Sequence, residues 1–181
     1  TAAQRDAYKA QYTAYYTQAA ATVKAINEKI ASNAKEDLNK IKIGNYIEIG
    51  KNFTGMSLIR FECWEEYIDE KFSPSLIIGN NVSMNNNIHI GCINKIHIGD
   101  NVLLASNIFI TDHFHGFVDS RDKNIPPFLR PLYSRGPVVI GDNVWIGENV
   151  TIMPNVNIGK SCIVGANSVV TKSFPDNSVI A

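Results

Sequence analysis

The sequence predicts an all-β solenoid, a triangular parallel β-coil of hexapeptide repeats, with one long N-terminal α-helix before it and one extruded loop within it. Three observations carry this. The first is a six-residue pulse, an aliphatic usually followed by Gly and then by polar residues rich in Asn. It runs from Ile140-Gly141-Asp142-Asn143-Val144-Trp145 through Ile146-Gly147-Glu148-Asn149-Val150-Thr151 to Val164-Gly165-Ala166-Asn167-Ser168-Val169. A unit this short cannot close a core alone and must stack on copies of itself. The second is the same phase earlier, at Ile43-Gly44, Ile49-Gly50, Ile78-Gly79, Met84, Ile90-Gly91, Ile98-Gly99, Leu104-Ala105 and Ile110, so one architecture is expected over residues 41–175. The third is a change of composition: residues 2–38 are rich in Ala, Gln, Lys and Tyr and hold no Gly or Pro.

That first segment, residues 1–38, reads as a single helix. Its apolar or large residues fall at Tyr8, Tyr12, Tyr15, Ala19, Val23, Ile26, Ile30 and Ala34. The spacing recurs after about eleven residues, the period of a nearly straight coil rather than a heptad supercoil. With a seam of Ala and Tyr instead of Leu, it is expected to pack on the chain's own solenoid or on a neighbouring subunit, or to be an added or fused segment. Residues 39–181 form the solenoid domain. The aliphatic at the first position of each hexapeptide points inward, and Gly or Asn relieves the corners, where a positive φ is costly for other residues.

Two interruptions break the count. Between Ile49 and Ile78 the phase is lost through Phe53–Leu76, where Phe61, Trp64, Tyr67 and Phe72 lie beside Glu62, Glu65, Glu66, Asp69 and Glu70. This stretch either widens or caps the early coils, or walls an acceptor site. Between Ile110 and Ile140 a loop from Phe117 to Pro137, dense in Pro and Arg, leaves the coil. A solenoid gains nothing by extruding so long a loop, and long loops on rigid scaffolds carry function.

Charge excludes some partners. The chain has 17 basic and 17 acidic side chains, so no net field recruits nucleic acid or an anionic membrane. No stretch approaches the ~18 apolar residues of a transmembrane segment, no signal peptide opens the chain, and it reads as cytoplasmic. Cys63, Cys92 and Cys162 lack metal-type spacing and read as buried or half-buried thiols.

The four histidines, His89, His97, His113 and His115, share a short window. By strand alternation His89 and His97 face outward and read as surface residues. His113 and His115 stand in Ile110-Thr111-Asp112-His113-Phe114-His115-Gly116, where the coil ends and a mobile loop begins. There a side chain is held rigidly and can be covered, which suits a general base. The other reading is a pair of histidines that anchor the loop to backbone.

Thr-x-His before an extruded loop, then Gly-Asp-Asn-Val-Trp-Ile-Gly, then Gly-Ala-Asn-Ser-Val-Val-Thr-Lys, resembles the left-handed β-helix acyltransferases. Within them the chain is most similar to bacterial sugar O-acetyltransferases that decorate O-antigen and capsular polysaccharide. Asp112-His113-x-His115-Gly116 with Arg130-Pro131-Leu132 and Gly136-Pro137-Val138 narrows the resemblance, which covers residues 41–181. It implies a left-handed coil and a homotrimer with active sites between subunits. It also implies acetyl-CoA as the acyl donor and a saccharide or lipid-linked glycan as acceptor. His113 then matches the catalytic base, Asn85 an acceptor-contacting Asn, and Trp145 an aromatic beside the pantetheine arm. Ala166, Thr171 and Lys172 match positions lining the coenzyme groove. Asp112 either orients the imidazole or caps the turn, and His115 is either the base in place of His113 or its supporting partner. No metal is implied.

The galactoside members have Gly where this chain has Asp112, run two residues longer to the catalytic His, and lack the Arg- and Pro-rich loop; these departures point to a glycan acceptor rather than a small galactoside. Glu148 stands where some members have Ser. The chain stops at Ala181, where relatives continue into a Gly-x-Pro-x-Lys segment, so the solenoid domain is expected to be truncated and its coenzyme binding weakened. Three other readings stay open: an N-acetyltransferase acting on an amino sugar, a metal-dependent lyase of the γ-carbonic anhydrase type, and a non-catalytic repeat scaffold. Against the lyase, the histidines lack His-x4-His spacing and no Arg-x-Asp-x-Gln run is present.

Overall fold

The computed structural model describes residues 41–117 and 119–181. The helix expected over residues 1–38 and the boundary drawn after it lie outside the described residues. The chain starts with β1 (Ile41–Ile43), which folds back antiparallel on β2 (Ile47–Ile49), placing Ile43 opposite Ile47. Gly44 makes the turn at φ 58°. The coil therefore starts at β2, and the expectation that Ile43-Gly44 opens it is corrected: Gly serves a left-handed turn as readily as a crowded stack.

Five coils follow, each giving one strand to each of three parallel sheets. The first coil is β2, β3 (Thr54–Gly55) and β4 (Ile59–Cys63). A small antiparallel hairpin, β5 (Glu66–Tyr67) and β6 (Glu70–Lys71), then intervenes. The second coil is β7 (Ser75–Ile78), β8 (Ser83–Met84) and β9 (Ile88–Cys92); the third is β10 (Lys95–Ile98), β11 (Leu103–Leu104) and β12 (Ile108–Thr111). The long loop carries β13 (Phe114–His115) and β14 (Leu132–Tyr133), which pair antiparallel. The fourth coil is β15 (Val138–Ile140), β16 (Trp145–Ile146) and β17 (Thr151–Ile152); the fifth is β18 (Asn157–Ile158), β19 (Ile163–Val164) and β20 (Val169–Val170). Phe174 then bridges to Ile158, and β21 (Val179–Ile180) pairs with β19. The coil thus runs past the expected end at 175.

Inward positions stack in register. Ile49, Ile78, Ile98, Ile140 and Ile158 form one column with at most 1% of each surface exposed. Fully burying such a side chain contributes about 1.5–3 kcal/mol, which no single coil could collect. Cys92 and Cys162 are buried and Cys63 is half-buried.

The corners divide the work between Asn and Gly differently from the expectation. Asn81, Asn87, Asn101, Asn107, Asn143, Asn149, Asn155 and Asn167 take φ between 55° and 63°, and their short amides also bond along the stack, as Asn52–Asn81–Asn101–Asn143. The repeat glycines Gly50, Gly79, Gly99, Gly141 and Gly159 are absent from the positive-φ set. They are small because coils touch there: a methyl group on Gly99 would lie 2.8 Å from the Gly141 carbonyl carbon, and one on Gly141 2.8 Å from that of Gly159.

Both interruptions are also redrawn. Phase is not lost through Phe53–Leu76: β3 and β4 are regular strands, and only residues 64–74 leave the coil. The period hides because Gly55 and Phe61 replace inward aliphatics, and Leu58 holds a corner at φ 60° where other coils have Asn. The loop is residues 112–137 rather than Phe117–Pro137, and it is ordered internally rather than a free lid. Its buried Asp122 accepts the Phe117 N–H at 2.8 Å, Pro131 O accepts the Gly116 N–H at 2.7 Å, and Phe117 stacks on Tyr133 with Arg121 over its ring.

Candidate active site

His113 stands between β12 and β13, at the edge where the third sheet turns toward the first. Asp112 is fully buried, and its carboxylate accepts the Ile93 N–H at 2.9 Å and the Asn94 N–H at 2.8 Å, with the Cys92 thiol at 3.3 Å. It therefore caps the turn after β9. The same carboxylate lies 3.0 Å from His113 Nδ1, and Thr111 Oγ1 lies 3.3 Å from that nitrogen. The two roles left open for Asp112 are thus one: anchored to the neighbouring coil, it orients the imidazole. Each carboxylate oxygen already accepts a backbone N–H, so the contact with the ring is one that Nδ1 donates, and Nε2 keeps its lone pair. The His113 side chain is 11% exposed. The dyad can take a proton at Nε2 and share the resulting charge with Asp112.

His115 points elsewhere. Its ring meets Tyr67 edge-on at 5.4 Å, and its Nδ1 is 3.4 Å from the Tyr67 hydroxyl, which donates to Phe128 O at 2.8 Å. Desolvation by these neighbours, then the charge of His113, hold the His115 pKa below its ordinary value. Tyr67 thus clasps the 64–74 insert to the long loop beside His113, which makes the insert a buttress of the loop rather than a cap on the coil.

The floor under His113 is the outer face of the third sheet. There Arg60 is in register with His89, and Glu62 with Gly91. Arg60 Nη2 donates to His89 Nδ1 at 2.8 Å, Arg60 Nε is 3.2 Å from Glu62 Oε1, and His89 Nε2 is 3.2 Å from Glu62 Oε2. Burial pushes the Glu62 pKa up, but His89, Arg60 and Trp64 outweigh it and hold it below the ordinary value. His89 faces outward as alternation requires, yet it is half-buried, stacked on Phe109 at 4.8 Å and bonded to Arg60, and is not the plain surface residue expected. His97, outward on the first sheet, is half-buried and apart from this cluster.

The other expected residues divide between two edges. Thr171 and Lys172, both exposed, follow β20 at the same corner as His113, two coils on; Lys172 Nζ lies 5.5 Å over Phe174. Asn85 follows β8 and the exposed Ala166 follows β19, both at the opposite edge of the third sheet. Trp145 is half exposed on the second sheet, in a row with Leu103, Ile163 and Val179. One chain therefore does not gather them around His113. Sequence reasoning missed Gly91 as the neighbour of His113 and Arg60 and Glu62 as the residues in register with His89 and Gly91; continuing the six-residue count through Phe61 would have found that register. Among the described residues no group of three or more His, Cys, Asp or Glu is gathered to hold a metal, and no helix is long and apolar enough to cross a membrane.

Comparison with known proteins converges on this architecture. Residues 137–172 match the bacterial transferase hexapeptide (six repeats) family. Over 139 residues the chain is 42% identical to a protein of Escherichia coli (strain K12) named as a lipopolysaccharide biosynthesis O-acetyl transferase, WbbJ, covering 75% of this chain and 67% of that one. A maltose O-acetyltransferase from Clostridium difficile 630 superposes with TM-score 0.57 at 33% identity, over 72% of this chain and 63% of that one. The hexapeptide-repeat acetyltransferase VCA0836 of Vibrio cholerae O1 biovar eltor, complexed with acetyl coenzyme A, gives TM-score 0.53 at 29% identity, over 71% and 64%. The chain spans about two thirds of the length of these relatives. Stacked hexapeptides, a buried Asp-His pair at a coil corner and 42% identity across three quarters of the chain place this protein in the hexapeptide-repeat acetyltransferase family.

Proposed function

We propose that this chain transfers an acetyl group from acetyl-CoA to a sugar hydroxyl during surface polysaccharide assembly, of the O-antigen or capsule kind. The observation that carries the reading is the Asp112–His113 pair, an imidazole preoriented through Nδ1, with no bond to Nε2 among the described residues. His113 takes the proton of the acceptor hydroxyl as that oxygen attacks the thioester carbonyl; the tetrahedral intermediate collapses and the coenzyme leaves as the thiol. Among the described residues no Ser bonds His113 and the Cys92 thiol is buried behind Asp112; direct transfer needs no nucleophile of the enzyme. His115 supports the loop that covers the base. The lipopolysaccharide role comes from the name of the Escherichia coli relative, and the donor from the Vibrio cholerae complex.

The coil is taken as left-handed, as in the family, and the protein as a cytoplasmic homotrimer. Two edges of one chain carry complementary halves of a site: His113, Thr171 and Lys172 on one, Asn85 and Ala166 on the other, with Trp145 near it. A neighbouring copy would bring them together, Asn85 meeting the acceptor and Trp145, Ala166, Thr171 and Lys172 the coenzyme. The test is thiol release from acetyl-CoA over a panel of sugars and amino sugars, native chain against His113→Ala. A sugar-dependent rate that falls by about 10²-fold or more is expected for loss of a general base. An unchanged rate in the variant removes His113 from the chemistry, and a rate seen with amines alone replaces O-transfer by N-transfer.

A further inference from the structure

His89 Nε2 is a buried side-chain nitrogen without a hydrogen-bond partner among the described residues. It lies close to Glu62 Oε2, at 3.2 Å, but off the line of a hydrogen bond. Buried polar groups are nearly always bonded, and an exception asks for a reason. Its tautomer follows from Arg60: a guanidinium only donates, so Nδ1 accepts at 2.8 Å and the ring proton sits on Nε2. Nε2 borders the gap over Gly91. A methyl group on Gly91 would meet His113 Cε1 at 3.3 Å and His89 Nε2 at 3.9 Å. The two imidazoles therefore flank one glycine.

The order of charges across this face is set by register. Glu62 pairs with Gly91, under His113, whereas Arg60 pairs with His89, one residue pair further from it. The cluster thus turns its carboxylate end toward His113 and its guanidinium end away. Glu62 is 7% exposed, so its field is weakly screened. We propose that Arg60, Glu62 and His89 form a second support for His113, a set of positioning residues whose oriented charges stabilise the imidazolium formed as the hydroxyl proton arrives. Asp112 serves Nδ1 from one side; this set acts across Gly91 from the other. Among the described residues Thr111 and His115 are the other polar and titratable groups recorded around the ring, with Cys92 behind Asp112 and Cys63, a free thiol, in register with Cys92.

The proposal rests on His113 being the base, and its test separates the two. The full chain is assayed by thiol release from acetyl-CoA with whichever sugar of the panel it acetylates, and kcat/KM is followed against pH. Glu62→Gln keeps shape and removes the charge of the cluster that register sets nearer to His113. Its kcat is expected to fall about tenfold, both KM values to hold, and the acid limb of the profile to move to lower pH. Arg60→Gln removes the distant opposite charge and is expected to move that limb to higher pH, a sign that a merely structural role would not produce. His89→Gln, also chosen to keep bulk on Phe109, is expected to follow Glu62→Gln. An acid limb unmoved in both charge variants overturns the proposal, as does a loss confined to the acceptor KM, which would make the cluster a binding surface. A His113→Ala protein as fast as the native chain overturns the underlying reading instead.

Discussion

Residues 138–170 and the third-sheet edge built from residues 59–63, 88–94 and 111–133 obey opposite rules. In the first region the core, glycine and corner contacts recur from coil to coil. Ile140 sits on Ile158, Gly141 on Gly159, and the Asn149 amide bonds Asn167 eighteen residues on. In the second, contacts occur once. Asp112 alone ties two backbone N–H groups to an imidazole, Glu62 is a buried carboxylate on an outer face, and Tyr67 bonds the carbonyl of Phe128 sixty-one residues away. Repetition yields stability by summing equivalent layers, whereas a site needs unlike groups at one point. The chain obtains them where the repeat is broken.

The largest effect on stability should come from the repeating region. Ile140→Ala removes a fully buried side chain between layers that cannot collapse sideways, and should cost about 2–5 kcal/mol in denaturant unfolding. If acetyl transfer falls at a temperature where the variant is still folded, the division between the regions is not as sharp as drawn. Asp112→Asn tests the other region. It replaces an acceptor of two N–H bonds by an amide that satisfies fewer of them and no longer holds the His113 proton on Nδ1. A kcat loss of about 10²-fold or more is expected, with a stability loss of about 1–3 kcal/mol. An Asp112→Asn protein that unfolds like Ile140→Ala but acetylates at the native rate per folded molecule would reverse the assignment.

The smallest expected effect is on pH dependence. The His115 pKa is lowered in the fold, so between that value and the ordinary one, about 6.5, the unfolded chain binds more protons than the native one. Stability is then full above the ordinary value and declines as pH falls toward the folded one. Glu62 is also lowered; its contribution is present above the ordinary carboxylate value and is lost at more acid pH still. His115→Asn should therefore flatten the thermal midpoint in the interval just below the ordinary imidazole value, about 6.5, while leaving the steeper acid decline. A variant whose midpoint tracks the native one throughout that interval would show that His115 carries no such linkage.

Much of this was legible in the sequence wherever one residue's environment is its own repeat. The coils through residues 75–111 and 138–170, their inward aliphatics and the excursion after Thr111 all follow from a six-residue count, because a parallel coil pairs each residue with its equivalent in the next turn. The count failed at Gly55, Leu58 and Phe61, three substitutions that keep the backbone path but erase the pattern, and with it the partners of His89 and the floor of His113. It also misjudged the repeat glycines: a crowded stack and a left-handed corner both select small residues, and only coordinates separate them.

The sequence by itself determined the solenoid, its hexapeptide period, the place where it opens, and the family. Local and periodic forces set these, and each repeat restates them. The tertiary structure alone decided that Asp112 both caps a neighbouring turn and orients His113, and that Tyr67 clasps the insert to the loop. It also decided that Arg60, Glu62 and His89 gather on the outer face of the third sheet beside Gly91. These depend on which unlike residues meet when separate coils stack, and register between distant segments is a property of the folded stack, not of any stretch of chain.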